Sequence, residues 1–166
     1  MNTKHANQQH TTRARGGEKV VTVNRRAWHD YFIEEEVEAG IVLTGTEIKS
    51  IREGRVNIRE AHARIENGEV LLYGMHISPY GQAGDYFQHD PNRPRKLLLH
   101  RAQIRYLQQR VEARGYTIVP LRLVLRNGKA KLDIGLAKGK RAYDKRDALA
   151  ERDSRREIEQ ALRRRD

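Results

Sequence analysis

Leu121, Leu123 and Leu125 recur at every second position with Arg122 and Arg126 on the opposite parity, the period of a strand with one dry and one wet face. After Asn127-Gly128 the pattern resumes with Leu132, Ile134 and Leu136 against Lys129 and Lys131, so the two runs are predicted to pair through a two-residue turn with positive φ at both positions. Asn67-Gly68 separates AHARIE from EVLLYGMHI in the same way. Residues 31–43 also alternate, with Ile33, Val37, Ala39, Ile41 and Leu43 on one face. Gly40 stands where a long strand would bend round a barrel corner.

Two stretches have helical spacing instead. Thr44 and Glu47 stand at capping-box distance before Ile48 and Ile51, and Gly54 is a stop, which predicts a short helix over 45–53. Ile104, Leu107 and Val111 form one stripe ending at Gly115, which predicts a second helix over 101–114. The chain is therefore expected to be mainly β with short helices: an oligonucleotide-binding (OB) type antiparallel β-barrel of about six strands, with a flexible basic C-terminal tail. Three regions are expected: a disordered arm over 1–19, the barrel over 20–138 and the tail over 139–166. Residues 81–96 show no period and read as a long loop.

In the tail, Leu149 and Ile158 fall on opposite sides of a helix, so no continuous apolar face runs through it. Glu151 with Arg155 and Glu159 with Arg163 are spaced as helical ion pairs, and Arg152, Arg156 and Arg163 share a side. The tail is expected to fray in solution and to become helical when docked on RNA.

Charge sharpens the picture. The 166 residues carry a formal net charge of +11, which points to a polyanionic partner. Ten cations against seven acids lie in 139–166, and four against one in 1–19. There is no cysteine, so neither disulfides nor thiolate metal sites arise. No apolar run reaches the length of a membrane span and residues 1–19 lack a signal-peptide core, so a soluble cytoplasmic chain with no membrane partner is expected.

Catalytic signatures are weak. GLAKGK has three residues rather than four between its glycines, and Arg141 where a phosphate loop needs Ser or Thr. The seven histidines include no pair at helical zinc-ligand spacing, so neither a metal site nor a cofactor is expected. Glu34, Glu35, Glu36 and Glu38 suggest magnesium for a nuclease, but on a straight strand Glu35 faces away from the others, and a charged strand face is the plainer reading. GLAKGKRAYDKRD, in contrast, sets Lys138, Lys140, Arg141, Lys145 and Arg146 around Tyr143, cations for phosphates beside a ring for stacking.

Four blocks, NRRAWHDYFIEEEVEAGIVLTGTEIKSIREGRVNI (24–58), ENGEVLLYGMHISPY (66–80), HDPNRPRKLLLH (89–100) and GLAKGKRAYDKRD (135–147), resemble in this order the small protein B family, the bacterial SsrA-binding proteins. The resemblance spans about residues 20–147. It implies a non-enzymatic protein that binds the transfer-like domain of transfer-messenger RNA (tmRNA) and escorts it to stalled ribosomes for trans-translation. The implied partners are tmRNA, the decoding centre and messenger channel of the stalled 70S ribosome, and elongation factor Tu with alanyl-tmRNA.

Transferred by residue, the resemblance implies RNA-binding roles for Asn24, Arg25, Arg26, His29, Tyr31, Glu38 and Leu98. It implies ribosome-directed roles for Lys138, Gly139, Lys140, Arg141, Tyr143, Asp144, Lys145 and Arg146. Arg25 and Arg26 suit phosphates, and Tyr31 or His29 suits an unpaired base. Glu38 either accepts protons from a base edge or neutralises a nearby arginine. Leu98 lies in an apolar triple and, the resemblance aside, reads as core. Gly139 reads as a site of close approach or a turn between barrel and tail. Trp28 stands where the family often has a basic residue. A general single-strand binder and a nuclease are the competing readings.

Overall fold

The computed structural model describes residues 17–164. In chain order they form β1 (Glu18–Val23), α1 (Arg25–Asp30), β2 (Tyr31–Ile41), α2 (Gly45–Arg52), β3 (Val56–Asn57), β4 (His62–Glu66), β5 (Glu69–Tyr73) and β6 (His76–Ile77). A 3-10 turn at Asp85–Phe87, β7 (Arg95–Leu98), α3 (Arg101–Arg114), β8 (Thr117–Arg126), β9 (Lys129–Gly139) and α4 (Lys140–Arg163) complete the chain.

Six strands close a ring: β8, β4, β5, β7, β2 and β9, with β9 pairing back to β8. Both Asn-Gly turns form as the pattern predicts, with φ of 51° and 73° at Asn67 and Gly68 and 51° and 77° at Asn127 and Gly128. Gly115 ends α3 in the left-handed region. The interior holds Ala39, Ile41, Leu72, Leu97, Leu123, Leu132 and Ile134, and Ile51 of α2 and Leu107 of α3 join it.

β4 meets β8 at Ala63↔Ile118, which leaves the far half of β8 with an open edge. β1 fills it, from Glu18↔Arg126 to Val23↔Arg122. Glu18 and Lys19, expected in a disordered arm, are therefore strand, and Arg126 donates to Glu18 at 3.1 Å. Residues 1–16 of that expected arm lie outside the described residues.

Simple alternation fails at two places that build the site. β2 pairs Ile33 with Ala137 and Glu35 with Leu136, so Glu34 is an extra residue; β8 carries Leu121 as an extra residue between Pro120 and Arg122. Each bulge reverses the faces of its strand. Ile33 and Leu121, predicted to share the interior with Val37 and Leu123, instead join Val119 and Ala137 in a second apolar cluster with Ala27, Trp28 and Tyr31. Gly135 lies between them: a Cβ there would stand 3.0 Å from both Ile33 Cγ2 and Leu121 Cδ1. Gly40 pairs with Leu98, and a Cβ there would lie 3.2 Å from Leu98 Cβ, so the position also serves close packing.

The segment read as a loop over 81–96 is anchored by buried charge. Arg95 and Glu47 are both fully buried, and Arg95 Nε donates to Glu47 Oε2 at 2.5 Å while Nη1 donates to the Met75 carbonyl at 2.7 Å. Thr44 N–H donates to Glu47 Oε1 at 2.8 Å and Arg93 donates to the same oxygen. Burial pushes the Glu47 carboxyl up, but hydrogen bonds from Arg93, Thr44 and Arg95 outweigh it and hold the group down to about 2.

Candidate nucleic-acid interface

α1 sits on the cluster the two bulges expose. Asn24 caps it: Oδ1 accepts from Ala27 N–H at 3.3 Å, and Nδ2 donates to the carbonyls of Pro120 at 2.8 Å and Ile58 at 3.4 Å. Its own N–H donates to the Leu121 carbonyl at 2.8 Å. The amide assigned to RNA is thus buried and engaged within the protein, where it orients α1.

The other side chains of this segment divide by availability. Arg25 is exposed and has no hydrogen-bond or ion-pair partner among the described residues. Arg26 donates to Asp30 at 3.2 Å and to Glu60. His29 is 85% exposed, with Nδ1 2.8 Å from Asp30 Oδ1. Hydrogen bonds from His29 and Arg26 hold the Asp30 carboxyl below its usual range. Tyr31 is half-buried and lines a polar hollow of about 240 Å³ with Arg26, Arg59, Glu60 and His62. Arg59 and His62 escape a sequence reading because nothing in the local pattern links them to α1, and the fold alone brings them beside it.

Tyr31 and Glu38 have opposite parity, and the extra residue at Glu34 lets both face outward. Glu38 accepts from Arg126 Nη1 at 2.9 Å, and Arg126 also holds Glu18, so its guanidinium is raised above the usual value. The arginine partner considered for Glu38 is therefore present. Leu98 is 51% exposed whereas Leu97 is buried, which corrects the reading of Leu98 as core: its side chain lies over Gly40 on the outer face. Glu38 lies on the same face two residues before Gly40, about 23 Å along β2 from Tyr31. Apart from buried Asn24, the predicted set thus forms two outer patches, one of α1 with Tyr31 and one of Glu38 with Leu98.

Two more glutamates of the run, Glu34 and Glu35, are engaged. Arg110 donates to Glu34 at 2.6 Å and Tyr106 donates to Glu35 at 2.6 Å. Lys138, paired across from Phe32, lies 5.5 Å from the centre of the Tyr116 ring, whose other cation neighbour, Arg110, is at 4.9 Å.

The tail leaves beside α1. Gly139 pairs with Tyr31, and Lys140 Nζ lies 5.3 Å from the centre of the Phe32 ring. Gly139 stands where β9 gives way to α4, with φ −62°, and a Cβ there would meet no described atom within 4 Å. Arg141, Tyr143, Asp144, Lys145 and Arg146 fall in the first two turns of α4; their side chains lie outside the described residues. α4, in the stretch expected as the tail, is a continuous 24-residue helix, about 36 Å long. Its helix-favouring composition and the absence of Gly and Pro after Gly139 account for this. Arg152, Arg155, Arg156 and Arg163 on it are exposed.

The model of the SmpB protein family matches residues 21–164. The SsrA-binding protein of Roseiflexus castenholzii is 60% identical over 153 residues, covering 92% of this chain and 97% of that protein. That of Carboxydothermus hydrogenoformans is 58% identical over 146 residues, covering 88% and 97%. A solved chain from work described as "tmRNA-SmpB: a journey to the center of the bacterial ribosome" is 49% identical, with a TM-score of 0.61 over 73% of this chain and 84% of that one.

Proposed function

The chain belongs to the SmpB family, and on that premise we propose that it binds tmRNA through the barrel and carries it to stalled ribosomes, where the terminal helix enters the empty messenger channel. The observation that carries this reading is the common root of the two surfaces. Tyr31, at the end of α1, pairs with Gly139, where α4 begins, so an RNA held on α1 and a groove occupied by α4 are reached from one place.

On the α1 patch, Arg25 contacts phosphate directly, and Arg26 does so by exchanging carboxylate partners. His29 offers its exposed ring to an unpaired base, and Arg59 and His62 extend the contact into the hollow. Glu38 acts by fixing Arg126, and Leu98 supplies an apolar contact to a base or ribose. On α4, Lys138, Lys140, Arg141, Lys145 and Arg146 meet ribosomal phosphates and Tyr143 stacks. Every step is binding, with no bond made or broken, so the chain is not an enzyme.

The test is competition binding. A labelled transfer-like domain of tmRNA should be displaced by unlabelled tmRNA and not by unstructured RNA of equal length. Equal displacement by both would assign the chain to general single-strand binding.

A further inference from the structure

Arg126, at the end of β8, is held from two sides. Nη1 donates to Glu38 Oε1 on β2 at 2.9 Å, and Nη2 donates to Glu18 Oε2 on β1 at 3.1 Å. Behind Glu18 the series of charges continues. Arg122 Nη2 lies 3.2 Å from Glu18 Oε1, and Arg122 Nε donates to Asp133 Oδ2 at 2.9 Å. The Glu18 side chain is 2% exposed, that of Arg126 27% and that of Glu38 39%, so the series runs from an enclosed anchor out to the surface. An exposed glutamate–arginine pair by itself spends side-chain entropy for little gain. A second carboxylate enclosed beneath β1 changes that, because it fixes the guanidinium before any partner arrives.

The balance of charge says what such an arginine can hold. Three carboxylates, Glu18, Glu38 and Asp133, face two guanidiniums, so the series carries an excess negative charge and a phosphate gains little from Arg126. Phosphates have other cations here: Lys129, opposite Arg126, and Lys131, opposite Gly40, make no hydrogen bond or ion pair among the described residues. What Arg126 keeps is donors. A guanidinium has five N–H groups. Two are spent on the carboxylates, Nε is buried with no hydrogen bond among the described residues, and one N–H on each Nη is left. Exposed Leu98 lies over Gly40, two residues from Glu38, an apolar neighbour that suits a base and not a phosphate. An arginine N–H set in place beside it matches the oxygen or ring nitrogen of a base edge.

We propose that Arg126 donates to a base edge of tmRNA at the patch of Glu38 and Leu98, and that Glu18 is a positioning residue that makes this contact specific by completing the clamp. The inference rests on the reading of that patch as part of the tmRNA surface, and its test keeps the two apart. Affinities of the full-length protein for the transfer-like domain of tmRNA and for unstructured RNA of equal length are measured at several salt concentrations. The proteins compared are wild type, Arg126→Ala, Glu18→Gln and the double variant. Arg126→Ala should weaken tmRNA binding about tenfold with the salt slope and the binding of unstructured RNA unchanged. Glu18→Gln frees the charge of Arg126, so it should weaken tmRNA binding while tightening that of unstructured RNA, an opposition that lost stability alone does not produce. In the Arg126→Ala background it should change neither. Unchanged tmRNA affinity in Arg126→Ala, or a salt slope lowered by about 0.8 as for a phosphate contact, would overturn the proposal. So would equal weakening of both RNAs by Glu18→Gln, or effects that simply add in the double variant. A wild-type protein with no preference for tmRNA would instead overturn the functional reading.

Discussion

Lys140 Nζ donates to the carbonyl of Trp28 at 3.3 Å, joining residues 112 positions apart and tying the first turn of α4 to the end of α1. The tail therefore starts from a defined point on the barrel. A chain ending at Gly139 keeps every strand of the ring, since β9 ends there. We expect that truncation to keep its unfolding midpoint and bind tmRNA within about threefold of wild type, because α4 meets the barrel mainly at its root. It should give no peptide tagging in a reconstituted stalled-translation assay. Tagging by the truncated chain would remove α4 from the mechanism.

Arg25 and Arg26 differ in what binding asks of them. Arg25→Ala should weaken tmRNA binding and reduce the salt slope by about 0.8, the release from one phosphate. Arg26 must first leave Asp30 and Glu60, so Glu60→Gln should tighten binding by up to about fivefold. Titrations at several salt concentrations read both effects. A Glu60→Gln protein that binds more weakly would place that carboxylate on the RNA instead.

Glu47 couples stability to acid. Its folded carboxyl is depressed from 4.5 to about 2, so its contribution is fully present above pH 4.5 and disappears as pH falls toward 2. The size is about 3 kcal/mol. Glu47→Gln leaves Arg95 buried without its counter-charge and should cost about 3–5 kcal/mol at neutral pH. Urea unfolding between pH 2 and 7 should show a shallower acid limb for the variant than for wild type.

Two glycines of the last block should respond oppositely. Gly135→Ala forces a methyl against Ile33 and Leu121 beneath α1 and should destabilise by about 1–3 kcal/mol, with RNA affinity falling as α1 shifts. Gly139→Ala meets open space at an ordinary φ and should be neutral or stabilising by up to about 1 kcal/mol. Thermal denaturation of the pair decides the matter directly.

Local rules made much of this fold legible. Asn-Gly demands its turn, Thr44 with Glu47 demands a helix start, and Gly115 demands a stop, whatever surrounds them. The bulges at Glu34 and Leu121 were not legible, because an extra residue changes nothing in the local pattern and shows only when the partner strand is laid alongside. That omission put Ile33 and Leu121 inside the barrel and hid the seat of α1. The Glu47–Arg95 pair escaped for a related reason: charged residues read as surface until tertiary structure supplies each with its partner. Leu98 was misread because an apolar triple does not say which parity faces inward.

The last strand, β9, seals the ring by pairing with both β8 and β2, and β2, which meets β7 only at Gly40 and Ile41, waits nearly a hundred residues for most of its pairing. Closure during synthesis therefore comes almost at the end of the chain, a route of high contact order and slow folding. Until then β2 and β8 expose unsatisfied edges, and a fragment halted before Leu132 would be a template for aggregation rather than a smaller working domain.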